Sequence, residues 1–455
     1  MSSSPVLGDV SGDGVYDVVL GDQQGKLVVL DGQTGEIFKT HDFQSPIDAS
    51  PLLLDIKGNN TLDVLVITRK GTLSLYTPRT DKVYWNIQLN GRVTLSPSFY
   101  LNKESQVRVI VSDENTYIYC LQPGTEKPLW AFKLGIPILT VPALYDFNKD
   151  GTPDISVGCS DGKVYVIDGK GKGVLHKFNA SSSRISGKPS IGHLPNESDP
   201  VFFVGSEDQK LYTFKADSID PLRTPYKTNG PVVFAPSLPG DIHKVADIVA
   251  YPSQDKNIYL LKAMTGQIMT VIPFNTSPSM SPVWLDLNKD GNEEMVVGTE
   301  SGSVFSIDIK SFLSTKLVQL DDSILSVLSG DMRNNSKLGL VVSTPHMVSY
   351  FETDIPVKQS SLILGILHGG PRMTGQKDVA YFEQMQRKMV LHQEEIDSIF
   401  SKAENFIQNK QYAEGESLLR ELLILNPQNA EAKKELRNID LRRNKPLFLK
   451  IILIL

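Results

Sequence analysis

The chain has 455 residues and a formal net charge of −6, with 46 Lys and Arg against 52 Asp and Glu. It is long enough to bury a large core, and its mildly acidic balance excludes the basic footprint of a nucleic-acid binder. Two cysteines, Cys120 and Cys159, exclude a disulfide framework, and free thiols are the expectation.

Met1-Ser2-Ser3-Ser4 has neither the basic start nor the apolar core of a secretory signal. It runs directly into a repeat, so the natural chain is expected to begin earlier. A proline recurs about every 46 residues, at Ser4-Pro5, Ser50-Pro51, Ser96-Pro97, Val141-Pro142, Lys188-Pro189, Ala235-Pro236 and Ser281-Pro282. An eighth unit starts near Ser326 without the proline. Each unit reads as four short strands, because its runs are β-branched and aromatic and are bounded by Gly or Asn turns. In the first unit the fourth strand falls near Glu36 to Phe43, and in the third near Pro128 to Lys133. Four strands repeated at this period are propeller blades. The prediction is a mainly β protein, an eight-bladed β-propeller over residues 1–367. Its eighth blade has all four strands, ending near Leu367, so the ring closes by packing rather than by a shared strand.

Three units carry oxygen-bearing residues at alternate positions, closed by an acid at the ninth and turned by a glycine at the sixth. They are Asp9, Ser11, Asp13 and Asp17; Asp146, Asn148, Asp150 and Asp154; and Asp286, Asn288, Asp290 and Glu294. Short acidic and amide side chains converge on a hard cation when the backbone turns sharply, and glycine permits the turn. Position seven (Val15, Thr152, Asn292) would add a main-chain oxygen. Calcium suits such a set better than magnesium, which keeps tighter octahedral geometry. An EF-hand would continue into a helix, whereas here an apolar β run follows. Asp, Asn and Gly also make ordinary turns, but turn chemistry does not require alternate oxygens closed by an acid. In the second unit Lys57 replaces a ligand between Asp55 and Asp63, so no metal is expected there.

The loop followed by a β-hairpin resembles the FG-GAP or VCBS repeat of integrin-alpha-type propellers, although the Phe-Gly and Gly-Ala-Pro signatures are absent. The hairpin end Val28-Val29-Leu30-Asp31-Gly32-Gln33-Thr34-Gly35 resembles the quinoprotein-type propeller repeat, as do Leu261 to Met269 and Tyr119 to Trp130. These resemblances span about the first four-fifths of the chain and imply fold more than function. A quinone-dependent dehydrogenase would carry repeated docking tryptophans, but only Trp85, Trp130 and Trp284 occur. Gly158-Cys159-Ser160-Asp161-Gly162 matches the nucleophile-elbow formula, which needs a strand-to-helix turn; here it aligns with the hairpin turns of the other units. No catalytic residue is expected. The histidines form no metal pair.

Residues 368–392 read as a linker and helix. Over residues 393–443, Ala403, Phe406, Tyr412, Leu419, Leu422 and Pro427 fall at spacings similar to a tetratricopeptide repeat, departing from it at Gly415. Such a hairpin needs a neighbour to cover its face. Residues 444–455 are sharply apolar yet too few to span a bilayer. They read either as the start of a membrane helix or as a tail packed on the helical region. The expected function is a non-enzymatic, Ca2+-stabilised scaffold that binds a protein partner, with a tether to a membrane through the tail. A quinoprotein-like dehydrogenase and a glycan-binding surface adhesin are the rival readings. Calcium loops favour an extracytoplasmic setting, periplasmic or cell-surface, and the missing signal leaves a cytoplasmic one open.

Overall fold

The computed structural model describes residues 3–56, 61–194, 200–215, 218–239, 248–288, 292–330, 332, 337–356 and 400–409, together with parts of 411–439. Among the described residues, thirty strands assemble into eight antiparallel sheets, each built from one stretch of chain. The first blade sets the pattern: β1 (Val6–Gly8), β2 (Asp17–Gly21), β3 (Lys26–Leu30) and β4 (Ile37–Asp42) pair in chain order. This is the eight-bladed propeller the 46-residue period predicts, with the fourth strand where the sequence places it. In the third blade that strand is Trp130–Lys133.

The second strands are buried along their whole length, as in Asp17–Gly21, Asp63–Ile67, Asp154–Gly158 and Glu294–Gly298. Such strands face a neighbouring blade on each side, so both faces must be apolar. The fourth strands alternate exposed and half-buried residues. Eight separate apolar clusters follow, one at each interface between consecutive blades. The last one closes the ring, with Leu7, Val18 and Leu20 of the first blade against Leu328, Met332 and Val341 of the eighth. Among the described residues those two sheets share no strand, so the ring closes by packing.

Serines stitch adjacent blades across the inner strands. The Oγ of Ser98, Ser190 and Ser237 donates to the carbonyl of Pro142, Pro236 and Pro282 at 2.6, 2.5 and 2.7 Å, each one repeat further on. The sixth and eighth sheets have three described strands each. In the sixth, Ser237 bridges to Ala250 where an inner strand would begin. The expected fourth strand of the eighth blade, the linker 368–392 and the tail 444–455 lie outside the described residues.

The helical residues after 400 form their own small cluster. Ala403, Ile407, Leu419 and Ile439 are buried together, flanked by Phe400, Tyr412, Leu418 and Leu436. A Cβ on Gly415 would stand 2.7 Å from Ile407 Cγ1, so the residue that departs from the repeat pattern lies where the preceding helix approaches most closely. Leu422 and Pro427 are outside the described residues. Among the described residues no helix is long and apolar enough to cross a membrane. Cys120 and Cys159 are buried free thiols.

Candidate functional site

Antiparallel pairing puts the β1–β2 loop and the β3–β4 turn of each blade at the same end of the sheet. The three acidic loops are β1–β2 loops, so all of them open on one face of the disc. In the first, the carboxylates fold onto the loop's own amides. Asp17 Oδ2 accepts from the backbone N–H groups of Val10 and Ser11 at 2.9 and 2.7 Å. Asp9 accepts from Gly12, Asp13 and Gly14, and Asp13 Oδ1 accepts from Val15 N–H at 2.9 Å. Ser11 Oγ lies 3.5 Å from Asp9 Oδ1.

The fourth blade repeats this net. Asp154 Oδ2 accepts from Phe147 and Asn148 at 2.9 and 3.3 Å, Asp146 accepts from Asp150 and Gly151, and Asp150 Oδ1 accepts from Thr152 at 2.9 Å. In the seventh, Glu294 takes the closing role. It accepts from Leu287 N–H at 2.6 Å and from the Asn288 side-chain amide at 2.8 Å. Asp286 and Asn292 lie in the same loop, and Asp290 lies outside the described residues. The ninth-position acid is therefore first a structural cap, bonding the loop's second residue from the head of the second strand.

The first and fourth loops differ in charge. Asp17 is buried, and its Oδ1 has no hydrogen-bond partner. Burial, reinforced by the nearby Asp9 and Asp13 carboxylates, pushes Asp17 up to about 8. Burial pushes Asp13 up to about 6, with Asp9 and Asp31 adding to it, and raises Asp9 as well. Asp31, at the end of β3, brings a further buried carboxylate whose Oδ2 is also unpartnered. Among the described residues, the Arg79 guanidinium packs on Gly12 and acts to lower Asp9.

In the fourth blade the spare oxygens are used. Asp154 Oδ1 accepts from Gly169 N–H at 2.8 Å, and Lys170 Nζ sits 2.8 Å from Asp150 Oδ2, holding that carboxyl low. Lys103 Nζ also lies against Gly151. Glycine is required next to both sites. A Cβ on Gly32 would stand 1.8 Å from Tyr16 O, and one on Gly169 would stand 2.3 Å from Pro153 O.

Among the described residues no three His, Cys, Asp or Glu side chains are grouped closely enough to hold a metal ion as they stand. The donor chemistry of the first loop suits a hard cation: several buried carboxylates, mutual repulsion and an orphaned oxygen. The fourth loop suits one less well, because Lys170 already stands at Asp150. Sequence spacing found the loop residues, but not Asp31, Lys170, Lys103 or Arg79, which arrive from other turns. The segment Gly158 to Gly162 joins strands Asp154–Gly158 and Lys163–Ile167. It is a hairpin turn, and the elbow geometry is absent.

The same face carries a second feature. Large apolar side chains stand exposed at the β3–β4 turn or early fourth strand of seven consecutive blades. They include Phe38, Tyr84, Leu129, Val174, Ile219, Met264 and Leu313, the last 69 % exposed. Beside this rim, the outer strands of the first three blades latch to the next blade's turn. Lys39 Nζ pairs with Asp81 at 2.9 Å, and Tyr76 and His41 join the same carboxylate. Trp85 Nε1 donates to Thr125 O at 2.7 Å, and Trp130 Nε1 donates to Gly169 O at 3.1 Å.

Eight consecutive antiparallel sheets in a closed ring, six of them with four described strands and two with three, define a β-propeller of the eight-bladed class. Solved structures agree. The chain is similar to BamB from Moraxella catarrhalis (14 % identity, TM-score 0.57, covering 77 % of this chain and 96 % of that one). It is similar to the computationally designed Ika8 protein (16 %, 0.57, 78 % and 97 %). It is also similar to Saccharomyces cerevisiae Sqt1 (9 %, 0.58, 78 % and 96 %). At these identities the likeness shows the fold alone. No protein-family model matches the sequence, and no curated protein sequence does.

Proposed function

We propose that this protein is a non-enzymatic interaction scaffold, whose disc presents one face to a protein partner and is stiffened there by calcium. The observation that carries the reading is the rim of exposed apolar side chains on the face that holds the acidic loops. Scattered exposed apolar residues need no explanation, but one at the same place in seven blades does. Loops and turns on a rigid ring are a usual site of recognition. Calcium would sit in the first loop, held by Asp9, Asp13 and Asp17 with Ser11 and the Val15 carbonyl, and would neutralise acids that otherwise repel. Asp146, Asn148, Asp150, Thr152 and Asp154, and likewise Asp286, Asn288, Asp290, Asn292 and Glu294, are the second and third candidate sets. The integrin-type repeat resemblance supports this role for the loops. The tetratricopeptide-like helices add a second docking surface.

The test is photo-crosslinking in the source cells from Tyr84 and Leu129 on the rim, against Gln23 and Lys70 on the opposite face. Discrete protein adducts from the rim positions alone support the scaffold. Equal labelling from both faces overturns it. Visible absorbance from a bound quinone in the purified protein would favour the dehydrogenase instead.

A further inference from the structure

Arg223 occupies the place of a docking tryptophan. Trp85 and Trp130 each reach a carbonyl of the next blade's β3–β4 turn, 40 and 39 residues further on. Arg223 does the same across the fifth and sixth blades, with Nη2 donating to Ala263 O at 2.8 Å, again 40 residues on. The stacking is also kept. A Cβ on Gly171 would meet the Trp130 ring at 2.6 Å, and a Cβ on Gly266 would meet Arg223 Cδ at 2.5 Å. A planar side chain lies over a glycine in both cases, but here it is charged.

An indole has one N–H, and the turn carbonyl satisfies it. The guanidinium has five, and Nε and Nη1 of Arg223 are buried with no hydrogen-bond partner. They border a small cavity between the two blades, lined by Phe203, Leu211, Thr213, Tyr251 and Lys262. Its free volume is about 10 Å³, room for one water-sized species. No carboxylate lines it among the described residues, and Lys262 adds a second positive charge. Burial pushes the arginine's pKa down, yet a guanidinium keeps its proton in proteins. Arg223 is half-buried as a whole, but a guanidinium whose Nε and Nη1 are withdrawn from water without a counter-charge is still costly. Water would satisfy the two donors but not the charge.

We propose that the cavity at Arg223 binds one halide-sized monovalent anion, chloride in ordinary solution. The ion would accept from the free N–H groups of Arg223 and would fill the small space left beside the guanidinium, which itself takes the place of the indole. The site is therefore a replacement for the docking tryptophan, made conditional on an anion.

The full chain is crystallised from bromide, and its unfolding is followed in chloride and in gluconate at equal ionic strength. The expected results are an anomalous peak within hydrogen-bond reach of Arg223 Nε or Nη1 and a melting temperature higher by about 2 °C in chloride. Arg223→Trp, which restores the neutral side chain used elsewhere in the ring, should melt cooperatively with no difference between the two salts. Water at the site, or equal melting of the wild-type protein in both salts, overturns the proposal. So does the same chloride dependence in the variant. A bromide peak without chloride-dependent stability would mark an adventitious ion only, and would overturn it too.

Discussion

Asp17 and Asp154 hold the same place in their repeats, yet Asp→Asn should act oppositely at the two when calcium is absent. Each carboxylate accepts two loop amides through Oδ2. At Asp17 the other oxygen faces no donor, so an asparagine can keep its carbonyl on the amides and turn its NH2 to the empty side. That change also replaces a carboxyl that burial and the neighbouring Asp9 and Asp13 push up to about 8 with a group that is always neutral. In chelator, Asp17→Asn should therefore stay within about 1 kcal/mol of the wild type, on the stabilising side. At Asp154 the other oxygen accepts from Gly169 N–H. Either orientation of an asparagine there sets a donor against a donor, which costs about 1–3 kcal/mol with or without calcium. Calcium at a hundredfold excess over its dissociation constant should add about 2.7 kcal/mol to the wild type. Asp17→Asn should lose most of that gain. Urea unfolding of the three proteins, in calcium and in chelator, measures all six values. Equal losses for both variants in chelator, or a calcium gain that survives Asp17→Asn, would refute the reasoning.

Three further outcomes are expected. Trp130→Phe keeps an aromatic ring over Gly171 and loses one hydrogen bond, about 1 kcal/mol; Trp130→Ala loses the ring as well and should cost about 2–3 kcal/mol in urea unfolding, below the range of a fully buried aromatic. A phenylalanine variant as unstable as the alanine one would mean that the indole N–H, not its stacking, holds the third and fourth blades together. Lys39, Tyr76 and His41 hold Asp81 down at about 2, below its ordinary 3.8. That link contributes stability above pH ~4 and loses it as pH falls toward 2; Asp81→Asn should flatten the stability profile in that window, and unchanged slopes would count against the latch. Burial pushes the Cys120 thiol up to about 11 and raises Cys159 further. A thiol reagent should therefore modify neither cysteine in the native protein and both after unfolding, and fast native labelling would contradict the packing at the third and fourth blades.

The ring was legible because its signal is periodic: prolines about every 46 residues, β runs between Gly turns, and acids that open the second strands. The ligand-type loops were legible too, since alternate oxygens with a central glycine can be read within nine residues. What the charges do at those loops was not. Asp31 and Lys170 come from turns further along the same blade, and Arg79 and Lys103 come from neighbouring blades. Nothing within a loop's own nine residues distinguishes Asp17, with its empty oxygen, from Asp154, whose oxygen is filled by Gly169. Counting tryptophans likewise missed Arg223, because the docking place is defined by the carbonyl it reaches and the glycine beneath it. The apolar rim escaped because exposed Phe38, Leu129 and Leu313 read as ordinary strand residues until the fold places them on one edge.

Every sheet in the ring is one unbroken segment of chain, and each contributes half of two neighbouring interfaces. A duplication or deletion of one such segment would therefore bring or remove a finished unit, with both of its contact faces already shaped. The ancestry of such a molecule can be counted in whole blades, and its variants should differ by blades more readily than by single strands.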